Sequence, residues 1–366
     1  MSAHSEFRPD AEIRCRDFKI GAIGAGFIMA DVHLAAYDHA GFPVHAIASR
    51  TRAKAAEVAE RWGIPVVHDT PLALLEDPAI DIVDIAYPPH LQGEIIEAAL
   101  RQPHIKGILA QKPLTMNYAD ARRIAGLCRE AGKFLSVNQN MRYDQSMRVL
   151  KQILERGDIG EPVMATIEMR AIPHWQSFLR EYDRLTLLNM SIHHLDVFRF
   201  LFGEVEEIST VARRDPRTTF EHTDGICVST LKFASGGLLG LSIEDTWASP
   251  TDEGFESDIY IRWRVEGEKG LVKGTIGWPD YPNGSPSTLS YCAPSTDGKW
   301  VSPSWSTMWF PHAFAGVMEQ LQYALKAGET PALTVEDNLR TMALVEAAYK
   351  SMEERRAVAL SEIEQL

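Results

Sequence analysis

Positive charge is in short supply. The chain sets 37 lysines and arginines against 50 aspartates and glutamates, a formal net charge of -13. Nucleic acids and anionic membranes select for Lys/Arg clusters, so neither is expected as a partner. Cysteine is scarce too: Cys15, Cys128, Cys227 and Cys292 lie far apart and form no C-x-x-C pair. That argues against a disulfide frame or a zinc site and fits reduced thiols in a cytoplasmic protein. No apolar run approaches the roughly 18 residues of a membrane span. There is no internal repeat, and the opening MSAHSEFRPDAEIRCRDF has no apolar stretch of the signal-peptide kind. Residues 1–17 are expected to be a loose leader.

What is present points to a globular chain of two domains, with 366 residues, 45% of them hydrophobic and 24% charged. From Lys19 the pattern alternates. FKIGAIGAG reads as a strand running into glycines, FIMADVHLAAYDHA as a helix, VHAIAS as a strand, and AKAAEVAERWG as a helix closed by Gly63. IDIVDIAY, IKGILA and KFLSVNQN continue the strands, which predicts a parallel sheet covered on both faces over residues 18–139. Beyond residue 140 long β-like runs follow one another without helices between them, as in GICVSTLKFASGGLLGLSIEDTW. The second domain, 140–366, is therefore expected to be α+β with an open, mostly antiparallel sheet and helices at its C-terminus.

IGAIGAG places Gly24 and Gly26 between the first strand and the first helix. Glycines there let the backbone turn tightly and approach a pyrophosphate at the helix N-terminus. Met29 stands where a third glycine is usual. The next strand ends in Ser49 and Arg50, followed by Arg52 and Lys54, where an NAD site would carry an acid. A guanidinium suits a 2′-phosphate, so NADP is favoured, with NAD as the other cofactor such a site could take.

With these pieces in order the chain resembles the Gfo/Idh/MocA oxidoreductases. The likeness rests on GAIGAGFI, AQKPLTMNYADARRI, SVNQNMRYDQSMRVLKQILERGDIGEP, LLNMSIHHLDVFRFLFG and the closing helical segment. The resemblance implies a Rossmann domain, a second domain with an open mixed sheet, and hydride transfer between a nicotinamide and a sugar or polyol carbinol. It places the motif lysine at Lys112 and the motif histidine at His193. Three positions depart from the pattern: Gln111 stands for the E-K-P glutamate, Asn189 for the acid four residues before the histidine, and Gln92 for a histidine after the fourth strand.

In the mechanism this implies, Lys112 stabilises a developing alkoxide, His193 takes the hydroxyl proton and Asn189 orients the imidazole. Cofactor contacts are expected from Gly24, Gly26, Phe27, Ile28, Ser49, Arg50, Lys54, Pro88, Gln111, Lys112 and Asn140. Substrate contacts are expected from Lys112, His193, His174, Trp175 and His312, with Trp309 beside His312 as an aromatic candidate. Adjacent helical residues point about 100° apart, so His193 and His194 chelate poorly and no metal is expected.

A small neutral sugar or polyol is the expected substrate, for instance an aldose oxidised at C1 to its lactone or a small, branched, apiose-like pentose. The family also suggests a homodimer or homotetramer. Two other readings stay open on sequence: a cofactor-recycling glycosidase or epimerase-like enzyme, and a non-catalytic NAD(P)-sensing regulator.

Overall fold

The computed structural model describes residues 7–170, 177–245, 259–277 and 284–365. The chain divides into two compact units. One comprises Ala11–Asn140 with Phe310–Met342; the other holds the residues up to Asp10, Met141–Trp309, and the chain from Ala343 onward.

The first unit is a doubly wound α/β layer. Its strands are β1 (Ile20–Ile23), β2 (Val44–Ala48), β3 (Val66–Val67), β4 (Ile82–Ile85), β5 (Gly107–Ala110) and β6 (Phe134–Val137). They form one parallel sheet in the order β3-β2-β1-β4-β5-β6. All four residues of β1, β4 and β5 are buried, as expected for strands with helices on both faces. The helices are α1 (Leu34–Ala40), α2 (Arg52–Trp62), α3 (Pro71–Leu75), α4 (Pro89–Leu100) and α5 (Tyr118–Ala131). A π-helical run, Ile28–His33, leads directly into α1.

The sequence division at residue 139 assigns every later residue to the second domain. The structure returns Phe310–Met342 to the first unit. The helix α8 there (Ala313–Ala327) covers the sheet because Gly107 of β5 leaves room for Leu321 and Leu325. Gln320 donates to Ser136 Oγ (3.1 Å), and the Val137 N–H donates to the Leu333 carbonyl (2.9 Å).

Residues 7–17 likewise differ from the expected loose leader. Phe7 meets the Tyr291 ring edge-on, and the Arg8 N–H donates to Gln152. Further along, the buried Glu319 carboxylate accepts the N–H groups of Arg14 and Cys15, and the Arg14 guanidinium lies 3.4 Å from the centroid of the Tyr323 ring. A carboxylate removed from water requires such donors, and these backbone groups satisfy it.

The second unit begins with α6 (Gln145–Glu155), whose N-cap Asp144 accepts the N–H groups of Ser146 and Met147. It continues with β7 (Pro162–Arg170) and α7 (Ile192–Phe202). Then come β8 (Val205–Arg213), β9 (Ile226–Phe233), β10 (Leu239–Asp245), β11 (Tyr260–Gly267), β12 (Leu271–Thr275) and β13 (Thr288–Cys292). After α9 (Val335–Glu354) the short β14 (Val358–Ala359) adds a final edge.

These strands form an eight-stranded sheet in the order β13-β12-β11-β7-β10-β9-β8-β14. Only the β7–β10 pair is parallel. One face is buried and the other solvated, which is why β9 alternates buried and exposed residues along its length. Among the described residues no helix is long and apolar enough to cross a membrane.

Candidate active site

The carboxyl end of β1 in the first unit turns at Gly24. Its φ is +123°, and a Cβ there would stand 2.7 Å from the Ala86 carbonyl oxygen. Glycine is therefore required where β1 turns beneath the end of β4. At Gly26 the opposite holds: a Cβ would meet nothing within 4 Å, so the backbone is open to solvent beside the first helical turn. Phe27 is exposed and Ile28 half-buried on the same turn. Met29, in the place of the third glycine, is fully buried in the core.

Beyond β2, Ser49 is half-buried, while Arg50 and Lys54 are exposed. No acid occupies the first turn of α2. Arg52 is committed to Asp69 at 2.6 Å. Tyr87, after β4, feels the charge and backbone of Arg50, although burial dominates and pushes its phenol up. Pro88 caps α4 beside it. An open glycine backbone at a helix start, with a cation and no carboxylate after β2, is a donor set that fits a dinucleotide. Gly24, Gly26, Ser49 and Arg50 are the residues that would hold it.

Lys112 follows β5, and its peptide bond to Pro113 is cis. Its mounting is made largely of amides. Gln92 Nε2 lies 2.8 Å from each of the carbonyl oxygens of Gln111, Pro113 and Leu114, and Gln92 Oε1 accepts the Gln111 N–H at 3.2 Å. Gln111 Oε1 accepts the Lys112 N–H at 3.2 Å, and its Nε2 reaches His33 Nε2 at 2.8 Å. His33 Nε2 also receives Asn138 Nδ2 at 2.9 Å, while His33 Nδ1 meets Asp84 Oδ2 at 2.7 Å. Tyr37 donates its hydroxyl to the same Asp84 oxygen at 2.6 Å. Lys112 itself is half-buried, and burial pushes its ammonium down to about 7. An amine so placed exchanges protons near neutral pH.

Asn189 and His193 lie in the second unit on one continuous helical run, the π-helical Leu187–Ser191 leading into α7. Three buried carboxylates pin that run. Asp224 accepts the N–H groups of Leu185 and Leu187 at 2.8 and 2.7 Å and the Tyr349 hydroxyl at 2.8 Å. Glu244 accepts from His194 Nδ1 at 2.9 Å and from Ser191 and Ser242. Asp196 takes a two-pronged contact from Arg142, both distances 2.6 Å. Arg142 thus braces the helix that carries the histidine. Trp309, an aromatic candidate for sugar stacking, is instead 2% exposed and stands edge-on to the His193 ring at 6.0 Å.

The predicted residues therefore fall into two groups. Gly24, Gly26, Phe27, Ile28, Ser49, Arg50, Lys54, Pro88, Gln111, Lys112, Asn140 and His312 belong to the first unit, and Asn189 and His193 to the second. Asn140 is buried, with Nδ2 3.3 Å from the Asn138 carbonyl. His312 packs edge-on against His39, with ring centroids 4.9 Å apart. His174 and Trp175 lie outside the described residues.

Sequence reasoning missed His33, Asp84 and Asn138, and it gave Gln92 only as a departure from the family pattern. The available signal was Asp84 itself, a carboxylate in the otherwise apolar IVDI strand, which demands buried donors. No group of three or more His, Cys, Asp or Glu that could hold a metal occurs among the described residues.

Comparison with known proteins matches both halves of the chain to one family. The family model for oxidoreductases with an NAD-binding Rossmann fold, Gfo/Idh/MocA, matches residues 18–139, and the model for that family's C-terminal alpha/beta domain matches residues 151–360. The D-apiose dehydrogenase of Rhizobium rhizogenes is 28% identical over 349 residues, 93% of this chain and 97% of that protein. The myo-inositol 2-dehydrogenase of Thermotoga maritima is 28% identical over 360 residues, 94% and 99% of the two chains. A solved oxidoreductase from Agrobacterium radiobacter, in complex with NAD+, L-tartaric acid and magnesium, shares the fold. It has a TM-score of 0.80 at 24% identity and covers 95% of this chain and 99% of its own. With both halves matched in order, the chain belongs to the Gfo/Idh/MocA family of oxidoreductases and carries that family's NAD-binding Rossmann domain.

Proposed function

We propose that this protein transfers hydride between a nicotinamide dinucleotide and a carbinol carbon of a small neutral sugar or polyol. The observation that carries the reading is Lys112, mounted at the carboxyl end of β5 by Gln92 and Gln111 and held near neutrality by burial. Ligands of open α/β sheets bind at the carboxyl ends of the strands. The relatives named for D-apiose and myo-inositol oxidation support the substrate class. Within it, an aldose oxidised at C1 to its lactone, such as a small branched pentose, is the first choice.

The bound nicotinamide supplies the hydride acceptor. Lys112, as free amine, accepts the hydroxyl proton, and its ammonium form then stabilises residual negative charge on the substrate oxygen. His193 is the alternative acceptor of that one hydroxyl proton. Asn189, four residues earlier on the same run, offers its amide to the imidazole without adding a charge. Arg50 favours NADP over NAD, because a guanidinium pairs with a 2′-phosphate and no acid follows β2 to repel it.

We also assign the protein to the cytoplasm as a homodimer or homotetramer. Exposed Val211, Val228 and Leu239 on the outer sheet face support such pairing. The direct test is a panel of pentoses, hexoses and inositols with NAD and NADP, following absorbance of the reduced cofactor. Turnover of one sugar class with either nucleotide is expected; silence across the panel with both would overturn the assignment.

A further inference from the structure

A buried polar chain of the first unit reaches the Lys112 backbone through Gln111 and has no part in the chemistry above. Asp84, in the middle of β4, is 0% exposed, and His33 is 1% exposed. Asp84 Oδ2 takes both the His33 ring and the Tyr37 hydroxyl, while its Oδ1 meets no hydrogen-bond partner among the described residues. The groups packed on His33 are Asp84 from β4, Tyr37 from α1, Gln111 and Asn138 from the strand ends, and the Phe314 ring from α8, whose centroid is 5.0 Å away.

The contact between Gln111 and the Lys112 N–H sets the order of the protons. The Lys112 N–H can only donate, so the Gln111 atom facing it is the carbonyl oxygen, and the atom facing His33 is the NH2 group. His33 Nε2 must then be an acceptor, and Asn138 also donates to it. The ring proton therefore sits on Nδ1, where it donates to Asp84. A carboxylate, an imidazole and a carboxamide stand in line, each with its orientation set by the next.

We propose that the Asp84–His33–Gln111 chain is a positioning device for Lys112: the Nδ1–H tautomer of His33, selected by Asp84, locks the Gln111 carboxamide, and that carboxamide fixes the backbone from which the lysine projects. Glutamine at position 111 is part of the device. A glutamate there would set a carboxylate against Nε2, and the imidazole would have to donate from both nitrogens to bridge two acids. This inference rests on the catalytic role given to Lys112, but the chain of hydrogen bonds can be tested without turnover.

The experiment uses the full-length protein with 15N-labelled histidine and 13C-labelled lysine. In the wild type, His33 is expected as the neutral Nδ1–H tautomer at pH 7 by nitrogen chemical shift. In Gln111→Glu, both His33 nitrogens should carry protons, and because that imidazolium balances the new carboxylate the Lys112 side-chain titration should stay close to its wild-type position. The neutral isostere Gln111→Met should leave His33 neutral. It should cost at least tenfold in kcat, because the lysine is misplaced.

Finding His33 protonated on Nε2 in the wild type would overturn the device. So would finding its protonation unmoved by Gln111→Glu, or seeing Gln111→Met change only thermal stability. If no sugar is turned over at all, the dehydrogenase reading fails while the protonation of His33 still decides the hydrogen-bond chain.

Discussion

The pH dependence of Lys112 offers the sharpest trial of the chemistry. An ordinary lysine titrates at 10.5, and burial brings this one to about 7. At pH 7 about half of the molecules then carry a free amine, roughly 1600-fold more than an unshifted lysine would give. If that amine accepts the hydroxyl proton, kcat/KM for sugar oxidation should rise about tenfold per pH unit below 7 and level off above it.

Lys112→Met, which keeps the apolar stem, should lower kcat/KM by about 10²- to 10⁴-fold and erase the limb near pH 7. Lys112→Arg should fare no better, because a guanidinium keeps its proton. The same shift predicts a stability effect of definite sign. Between about 7 and 10.5 the unfolded chain binds the lysine proton that the folded chain has released, so the penalty is full below pH 7 and vanishes as pH rises toward 10.5. Lys112→Met should therefore raise Tm at pH 6 and lose that advantage by pH 10.5. An unchanged limb in Lys112→Met, or near-normal oxidation by Lys112→Arg, would refute the assignment of proton acceptor and leave Lys112 as a fixed cation.

Other tests follow from the same geometry. Gly24→Ala forces a Cβ against the Ala86 carbonyl at a positive φ and should weaken dinucleotide binding at least tenfold, measured by fluorescence titration. Arg50→Ala should weaken NADP binding by about tenfold or more and leave NAD nearly unaffected, since only the 2′-phosphate loses its partner. Asp224→Asn leaves too few acceptors for the Leu185, Leu187 and Tyr349 donors. It should cost about 1–3 kcal/mol in a denaturant titration. Burial pushes Asp144 up to about 6 from 3.8, so the folded state retains a proton that the unfolded chain has released in that interval. Stability should fall as pH rises from about 4 to 6, and the Asp144→Asn variant should lose that part of the slope.

Much of the fold was legible because its signals are local. The fully buried strands β1, β4 and β5 are continuous apolar runs, and α2 ends at Gly63 as the periodicity requires. The glycine turn and the cation after β2 also announce themselves by spacing. What escaped depends on distant partners. The return of α8 to the first sheet is encoded in the absence of a side chain at Gly107, which has meaning only once Leu321 and Leu325 lie against it. Glu319 reads as an ordinary helical acid until the backbone of Arg14 and Cys15 is seen to need it.

The site was legible to the same degree. Lys112 and His193 stand out by motif, whereas Gln111 and Gln92 look like losses of charge. In three dimensions their amides accept and donate at once, which is why two glutamines can serve where acids or imidazoles were expected.

The placement of α8 has a practical consequence. A fragment cut at residue 139, where sequence motifs suggest a clean break, would leave the flank of β5 wet and β6 without the Leu333 carbonyl that receives Val137. Such a piece should clump rather than fold. An autonomous nucleotide-binding half would have to be spliced from two stretches, 11–140 and 310–342, through a newly made linker.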